Sequence, residues 1–413
     1  MSKLQELINK LCPNGVEFKP LGEVFEMRNG YTPSKNNPDF WEGGTIPWFR
    51  MDDIRENGRI LSDSIQHITP SAIKGKGLFE ANSFILATTA TIGEHALIIA
   101  DSLANQRFTN LKVRKSLSNL LVTKFIYYYM FIVDDFCKRN TNVSGFASVD
   151  MDKLKKMPFP FPPIEVQEEI VRILDSFSDY AAELQAELQA RKQQYEYYRN
   201  LLLTFNPSAY GCGTDDEQKD GVTTWEGHNY KIQWKKLGEI CDNMDKLRKP
   251  VTASTRISGI YPYYGASGVV DYVNNYIFDG SYLLISEDGA NLLARSTPIA
   301  FSIYGKTWVN NHAHVLHFNS DVTRKFVEYF INNLDISKYV SGGAQPKLNQ
   351  KKLNSILIPI PPLELQEKIV AILDRFETLV NDLTNGLPAE IAAVKDQYEY
   401  YRNKLLTFKK LTA

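Results

Sequence analysis

Residues 160–177 read PFPPIEVQEEIVRILDSF and residues 359–376 read PIPPLELQEKIVAILDRF, identical at 12 of 18 positions. Residues 194–205, QYEYYRNLLLTF, match residues 397–408, QYEYYRNKLLTF, at 11 of 12. Two matches in the same order mark an internal duplication, which decides the architecture before any single motif does. The offset is 199 in the first pair and 203 in the second, so the later copy carries four extra residues between its blocks.

Each copy opens on a proline pair, Pro162-Pro163 and Pro361-Pro362. This suits an extended entry followed by a proline in the first helical turn. From there apolar residues fall into two columns seven apart: Ile170, Phe177, Leu184, Tyr198 and Phe205 in one, Leu174, Ala181, Leu188, Tyr195 and Leu202 in the other, with Arg191 the only break. A heptad stripe of that length predicts a coiled-coil seam on a helix of about 40 residues, roughly 60 Å long. The second copy starts the same way, with Ile369, Phe376 and Leu383 beside Leu373, Val380 and Leu387. Asn385-Gly386-Leu387-Pro388 then interrupts it, and the stripe resumes four residues out of phase as Ile391, Val394, Tyr398, Tyr401, Leu405 and Phe408. A helix broken near Pro388 is expected, because proline lacks an amide donor and clashes with the preceding turn.

The segments outside the helices have short β-rich runs such as Phe84 to Ala87, Leu97 to Ala100, Tyr282 to Ser286 and Ala313 to Phe318, separated by turn residues. Both open on Leu-Gly-Glu, at 21–23 and 237–239, yet their interiors barely match. The expected order is a globular domain (1–157), a first spacer helix (158–206), a linker (207–226), a second globular domain (227–357) and a second helix (358–413). The fold class is α+β: two mixed, β-rich heads separated by two long antiparallel coiled-coil helices with pseudo-two-fold symmetry.

Among 413 residues, 47 basic and 48 acidic side chains give a net charge of −1, so any nucleic-acid contact must use local patches. One candidate is 230–256, where seven Lys/Arg face three acids. No apolar run approaches the length of a membrane span, and the four cysteines are scattered singly, as in a reducing compartment. A soluble, cytoplasmic protein with free thiols is expected.

The chain resembles the specificity subunits of type I restriction-modification systems along its whole length. The carriers are Pro-Pro-x-Glu-x-Gln-Glu at 162–168 and 361–367, and Gln-Tyr-Glu-Tyr-Tyr-Arg at 194–199 and 397–402. Weaker ones are Leu11-Cys12-Pro13-Asn14-Gly15, Gly44-Thr45-Ile46-Pro47-Trp48, and Ser341-Gly342-Gly343-Ala344-Gln345 with Leu348. The resemblance implies that each head is a target-recognition domain for one half of a bipartite site in duplex DNA. It implies that the helices are spacers, that two methyltransferase (modification) subunits dock on the assembly, and that restriction subunits join them. S-adenosylmethionine, ATP and magnesium are then expected in those partners, with no cofactor in this chain. The tandem Ala-Glu-Leu-Gln at 182–189 is similar to tetrapeptide repeats linked in one subgroup to spacer length; it is also simply a good helix former.

The competing readings are a catalytic DNA methyltransferase or nuclease, and a coiled-coil scaffold that never meets DNA. Asn36-Asn37-Pro38-Asp39-Phe40 lacks one proline of a methyltransferase motif, and Gly305-Lys306-Thr307 has Ala300 where a phosphate loop needs its first glycine. Pro38-Asp39 has no suitable downstream Glu-x-Lys. His312, His314 and His317 cluster without Cys, Asp or Glu nearby in sequence, so ordinary strand histidines are favoured over a metal site. His312 is a possible DNA contact, with Asn311-His312 placed like Asn105-Gln106. Two large unlike heads on duplicated struts argue against a pure scaffold.

Side chains suited to base edges or phosphates in loop-like segments are Lys35, Asn36, Arg50, Lys74, Lys76, Gln106 and Arg107 in the first head. The second head offers Lys246, Arg248, Lys249, Arg256, Asn291, Arg295, Gln345 and Lys347. Tyr195, Tyr197, Tyr198 and Arg199, with Tyr398, Tyr400, Tyr401 and Arg402, are candidates for the helix seam or for subunit docking.

Overall fold

The computed structural model describes residues 3–75, 77–142, 147–205, 221–343 and 345–411. The chain forms two compact mixed α/β units: residues 1–184 with 391–413, and residues 185–390.

In the first unit the strand Glu17–Pro20 pairs antiparallel with Pro158–Phe161, so the chain enters and leaves the head side by side. Leu21, fully buried, follows at once, and its N–H donates to the Met157 carbonyl at 2.9 Å. The main sheet runs in the order Phe25–Asn29, Phe108–Val113, Ser83–Ala87, His95–Ile98, Ile60–Leu61, with only the last pair parallel. Alternate residues of its strands feed two cores. Phe84, Leu86, Leu97 and Leu111 join the helix Thr123–Arg139, while Ile85, Ala87, Ala96 and Ile98 meet Trp48, Phe49 and Phe79.

The second unit repeats the plan. Leu357–Ile360 pairs antiparallel with the end of His228–Lys236, and the buried Leu237 donates its N–H to the Ile356 carbonyl at 2.8 Å. Its sheet runs Asp242–Asn243, Ala313–His317, Phe278–Ser286, Ala300–Val309, Ser258–Gly265, Gly268–Val273. The fifth strand is again parallel to the fourth. Position by position this is the first head's sheet with one antiparallel edge strand added.

The long helix Ile164–Leu203 is continuous, and the second copy consists of Leu363–Asn381 and Leu387–Leu405. Asp382 ends the former: its carboxylate accepts from the backbone N–H of Thr384 at 2.7 Å. Leu383, expected in the seam, is instead 80% exposed, because it lies in this break. Gly386 is required there, since a Cβ would come within 2.4 Å of the Thr378 carbonyl oxygen.

Each head is finished by the far end of the other copy's helix. In the first unit Val166, Ile170 and Leu174 join the core together with Leu406, and Phe125 packs on Phe408 at 6.2 Å with planes at 59°. In the second, Leu365, Ile369 and Leu373 join with Leu202 and Leu203, and Phe326 packs on Phe205, also at 6.2 Å and 59°. The tail also closes on the start of the chain: Val16 N–H donates to the Lys409 carbonyl at 2.9 Å, and Leu411 N–H donates to that of Val16 at 2.8 Å.

The expected linker ends early. Gly221–Trp225 pairs with His228–Lys236 as a hairpin whose two-residue turn, Glu226-Gly227, has both φ positive, at 49° and 79°. The Val-Thr-Thr-Trp run is a strand signal that the acidic, glycine-containing stretch before it obscured. Residues 206–220 lie outside the described residues. Cys12, Cys137 and Cys241 are free thiols, and Cys212 lies in that undescribed stretch. Among the described residues no helix is long and apolar enough to cross a membrane.

Candidate nucleic-acid interface

In the first head, two loops are fixed before their side chains do anything. Asp53, fully buried, accepts from the backbone N–H of Arg50 at 2.6 Å and of Ile65 at 2.7 Å, which sets Arg50 at the threshold of the helix Met51–Asn57. Asn105 Oδ1 accepts from the Arg107 N–H at 2.9 Å, and the Asn105 N–H donates to the Phe49 carbonyl at 3.0 Å. This Asx turn holds Gln106 and Arg107 out to solvent. The Thr32 hydroxyl donates to Gln106 Oε1, fixing its carboxamide.

Together these loops line a cavity of about 330 Å³. Lys35, Arg50, Arg55 and Arg107 reach it, against one acid, Asp52. Thr32, Thr91, Asn105 and Gln106 add polar groups, with Trp48 and Met51 beneath. Asp52 lies 3.7 Å from Arg50, whose buried Nε has no partner among the described residues. Lys35, Arg55 and Arg107 make no ion pair or side-chain hydrogen bond among the described residues. Four positive groups with one carboxylate between them suit a ligand that presents acceptor oxygens.

Four of the first-head candidates, Lys35, Arg50, Gln106 and Arg107, therefore converge on one site. Asn36 is exposed beside Lys35, Lys74 lies over the Phe40 ring at 6.0 Å, and Lys76 falls outside the described residues. Sequence reasoning missed Arg55, which reads as an ordinary solvated helix residue, and Thr32, whose role depends on a partner 74 positions away.

The second head uses several of its candidates internally. Arg248 bonds Glu287 and the Ala313 carbonyl, both at 2.7 Å, and lies 3.3 Å from Asp245. Arg256 stacks over Tyr263 at 4.3 Å and pairs with Asp271 at 3.2 Å. Asn291 bonds the turn at 296–297, and Arg295 donates to the carbonyls of Ile331 and Leu334. Lys347 pairs with Glu287 at 3.2 Å; Lys246, Lys249 and Gln345 are exposed. The loop equivalent to Asn105–Arg107 is Asn310-Asn311-His312, where Asn310 Oδ1 accepts from the His312 N–H at 2.8 Å. The match is thus one residue out from the Asn311-His312 alignment read in the sequence, and His312 stands where Arg107 does, with Nδ1 2.9 Å from Asp288.

His314 is buried, its Nδ1 2.6 Å from Asp245 and its Nε2 2.7 Å from the Leu348 carbonyl. Asp245, Glu287 and His314 are close enough together to hold a metal ion. Arg248 and Lys347 already supply positive charge to both carboxylates, so the donor set fits an internal ion network rather than a metal. His317 is 3.8 Å from Asp242 at the surface.

On the helices, Tyr195 and Tyr198 both stack on Phe376, at 6.2 and 5.7 Å, and Tyr401 stacks on Phe177 at 5.6 Å. Tyr398 packs on Tyr128. Arg199 Nε donates to Asn333 at 3.1 Å, and Arg402 lies over Phe131 at 4.3 Å. These six are seam or head contacts. Tyr197 and Tyr400 face outward, 63% and 60% exposed.

The family model for the type I restriction modification DNA specificity domain matches twice, over residues 13–191 and 230–393. Two recognition heads on one duplicated frame make this a DNA-specificity chain by class. It belongs to the type I restriction-modification specificity family. The specificity subunit of the type I restriction enzyme EcoprrI from Escherichia coli is 41% identical, covering 96% of this chain and 94% of the relative. That of EcoR124I/EcoR124II, also from E. coli, is 29% identical over 99% of this chain and 98% of the relative. A structure from work on complex assembly and conformational transition of the type I system aligns over 96% of this chain and 98% of that one, with a TM-score of 0.61 at 17% identity, which speaks for the fold alone.

Proposed function

We propose that each head reads one half of a bipartite, asymmetric site in duplex DNA and that the paired helices set the gap between the halves. The observation that carries this reading is the cavity of the first head, where Lys35, Arg55 and Arg107 make no ion pair or side-chain hydrogen bond among the described residues and lie beside Gln106. Free cations fit phosphate, and an oriented carboxamide fits a base edge. The chain itself performs no chemistry in this reading. S-adenosylmethionine, ATP and magnesium belong to its partners, two methyltransferase subunits joined by restriction subunits, in the cytoplasm. Tyr197 and Tyr400, equivalent by the duplication and both exposed, are the docking anchors, one for each of two identical partners. The experiment is a segment exchange: replacing residues 20 to 157 by those of a relative changes one half of the methylated site and leaves the other. A swap that altered both halves together would refute independent readout.

A further inference from the structure

The site in the first head is more specific than a basic patch. Every cation in it donates and none accepts, and of its two amides Asn105 has its oxygen engaged by the Arg107 N–H and Gln106 by the Thr32 hydroxyl, which leaves the Gln106 NH₂ as the end available to a ligand. Among the described residues the one carboxylate that lines it, Asp52, sits against Arg50. A surface of donors selects partners made of acceptors. On duplex DNA the phosphate oxygens have that character, and in the major groove guanine alone offers two adjacent acceptors, O6 and N7; thymine presents one, O4, beside its methyl group, whereas adenine and cytosine each present a donor there.

We infer that this cavity divides the work between them: Lys35 and Arg55 hold a backbone phosphate, while Gln106 and Arg107 read a guanine, with Thr32 as the positioning residue that turns the donor end of Gln106 toward the base. The division follows from how the groups are held. The Asx turn, backed by Phe49, fixes the backbone that carries Gln106 and Arg107, and the Thr32 hydroxyl orients the Gln106 carboxamide, as base reading requires. Lys35 and Arg55 are long, exposed side chains on a loop and a helix, able to follow a phosphate but poorly suited to distinguish bases. This inference rests on the proposed DNA-reading function and adds the base and the residues that read it.

The test uses the full chain co-expressed with its modification subunits, with DNA affinity measured against salt and methylated sites mapped by sequencing. Wild-type complex without site-specific binding would overturn the proposed function itself; the variants below address only the inference. The double variant Lys35→Gln/Arg55→Gln should lose affinity for specific and non-specific DNA alike, and its salt slope should fall by roughly 0.9, the change for one lost phosphate contact. Gln106→Ala or Arg107→Ala should relax one position of the first half-site by roughly 10- to 100-fold, with the second half-site unchanged. Thr32→Val should reproduce the Gln106→Ala relaxation and Thr32→Ser should restore discrimination, which a merely structural threonine would not do. An unchanged salt slope overturns the phosphate role. A relaxed position that is not a guanine on either strand, or a half-site intact in Gln106→Ala, overturns the base assignment. Because all these side chains except Thr32 are exposed, circular dichroism melting should match wild type, and the Thr32→Ser arm covers the exception.

Discussion

The rings of Phe177 and Tyr401 stack at 5.6 Å with planes 24° apart, and their duplicates, Phe376 and Tyr198, stack at 5.7 Å and the same 24°. In both pairs the phenylalanine comes from the first block of one copy and the tyrosine from the second block of the other. A duplication that packed each copy on itself would instead pair Phe177 with Tyr198. The exchange makes each head depend on chain from both copies.

That dependence predicts a coupling. In a double-mutant cycle, Phe177→Ala and Tyr401→Ala should show an interaction of about 0.5–1.5 kcal/mol in chemical denaturation, the range for a stacked pair beyond its burial. Phe177→Ala with Tyr198→Ala should be additive, since those two do not touch.

Ending the chain after Leu405 removes Leu406, 2% exposed, and Phe408 from the first core. The first unit should lose about 2–5 kcal/mol, as for other large buried side chains. Limited proteolysis should then cut within residues 20–157 sooner than within 228–357. Phe205→Ala should reverse the order.

His95 is fully buried, with Nδ1 2.7 Å from Asp134 and no partner for Nε2 among the described residues. Burial pushes its imidazole below the ordinary 6.5, and the attraction of Asp134 only partly offsets that. As pH falls, the unfolded chain takes up this proton before the folded one, so the stability His95 confers is full above about 6.5 and is lost progressively below it. Melting temperatures measured from pH 8 to 5 should fall for the first unit. His95→Gln should flatten that slope; an unaltered slope would place the cause elsewhere.

Arg248 should matter to the second head through stability rather than through sequence choice. Burial works to raise the Asp245 and Glu287 carboxyls, and their hydrogen bonds from His314 and Arg248, with the nearby positive charge, hold both below their ordinary values. Depressed carboxylates stabilise above their unfolded values, 3.8 and 4.5, and cease to as pH drops through the lower folded ones. Arg248→Ala should cost about 3–5 kcal/mol at neutral pH and move acid unfolding upward, with the methylated sequence unchanged wherever the variant still folds.

Adding one Ala-Glu-Leu-Gln after Gln189 advances the helix by roughly 6 Å and returns its stripe to within about 40° of the old direction. Methylation-site sequencing should show the gap widened by about one base pair, at roughly 3.4 Å per pair, with both half-sites intact. Adding one or two residues should damage folding instead, because the stripe turns by about 100° or 200°.

The frame was legible in the sequence because near-identical blocks survive wherever both copies make the same contacts. Gln167 shows the constraint: its amide bonds the carbonyls of Leu120 and Pro162 at 2.8 Å, and Gln366 bonds Pro361 at 2.7 Å in the same way. The common sheet of the heads was not legible, because strand order leaves no mark on residue identity so long as each position stays apolar. Nor could sequence tell Arg248 from Lys246, two positions apart, the first locked in an ion network and the second exposed. Whether a cation is free depends on carboxylates such as Glu287, which lie far along the chain.

From Phe177 to Tyr198 the chain runs four positions fewer than from Phe376 to Tyr401, yet both segments end in the same kind of ring pair. The surplus is four residues, and between the two helices of this copy Asp382 to Gly386 is chain held outside any helix. The two struts therefore need not be edited together. A gain or loss of one Ala-Glu-Leu-Gln unit would change the length of the first strut alone, since the second carries its extra residues in a non-helical break. If the helices set the gap, such a change would give a new target spacing in one mutational event with both readers untouched, and a lineage could change which genomic sites it marks without a new recognition surface.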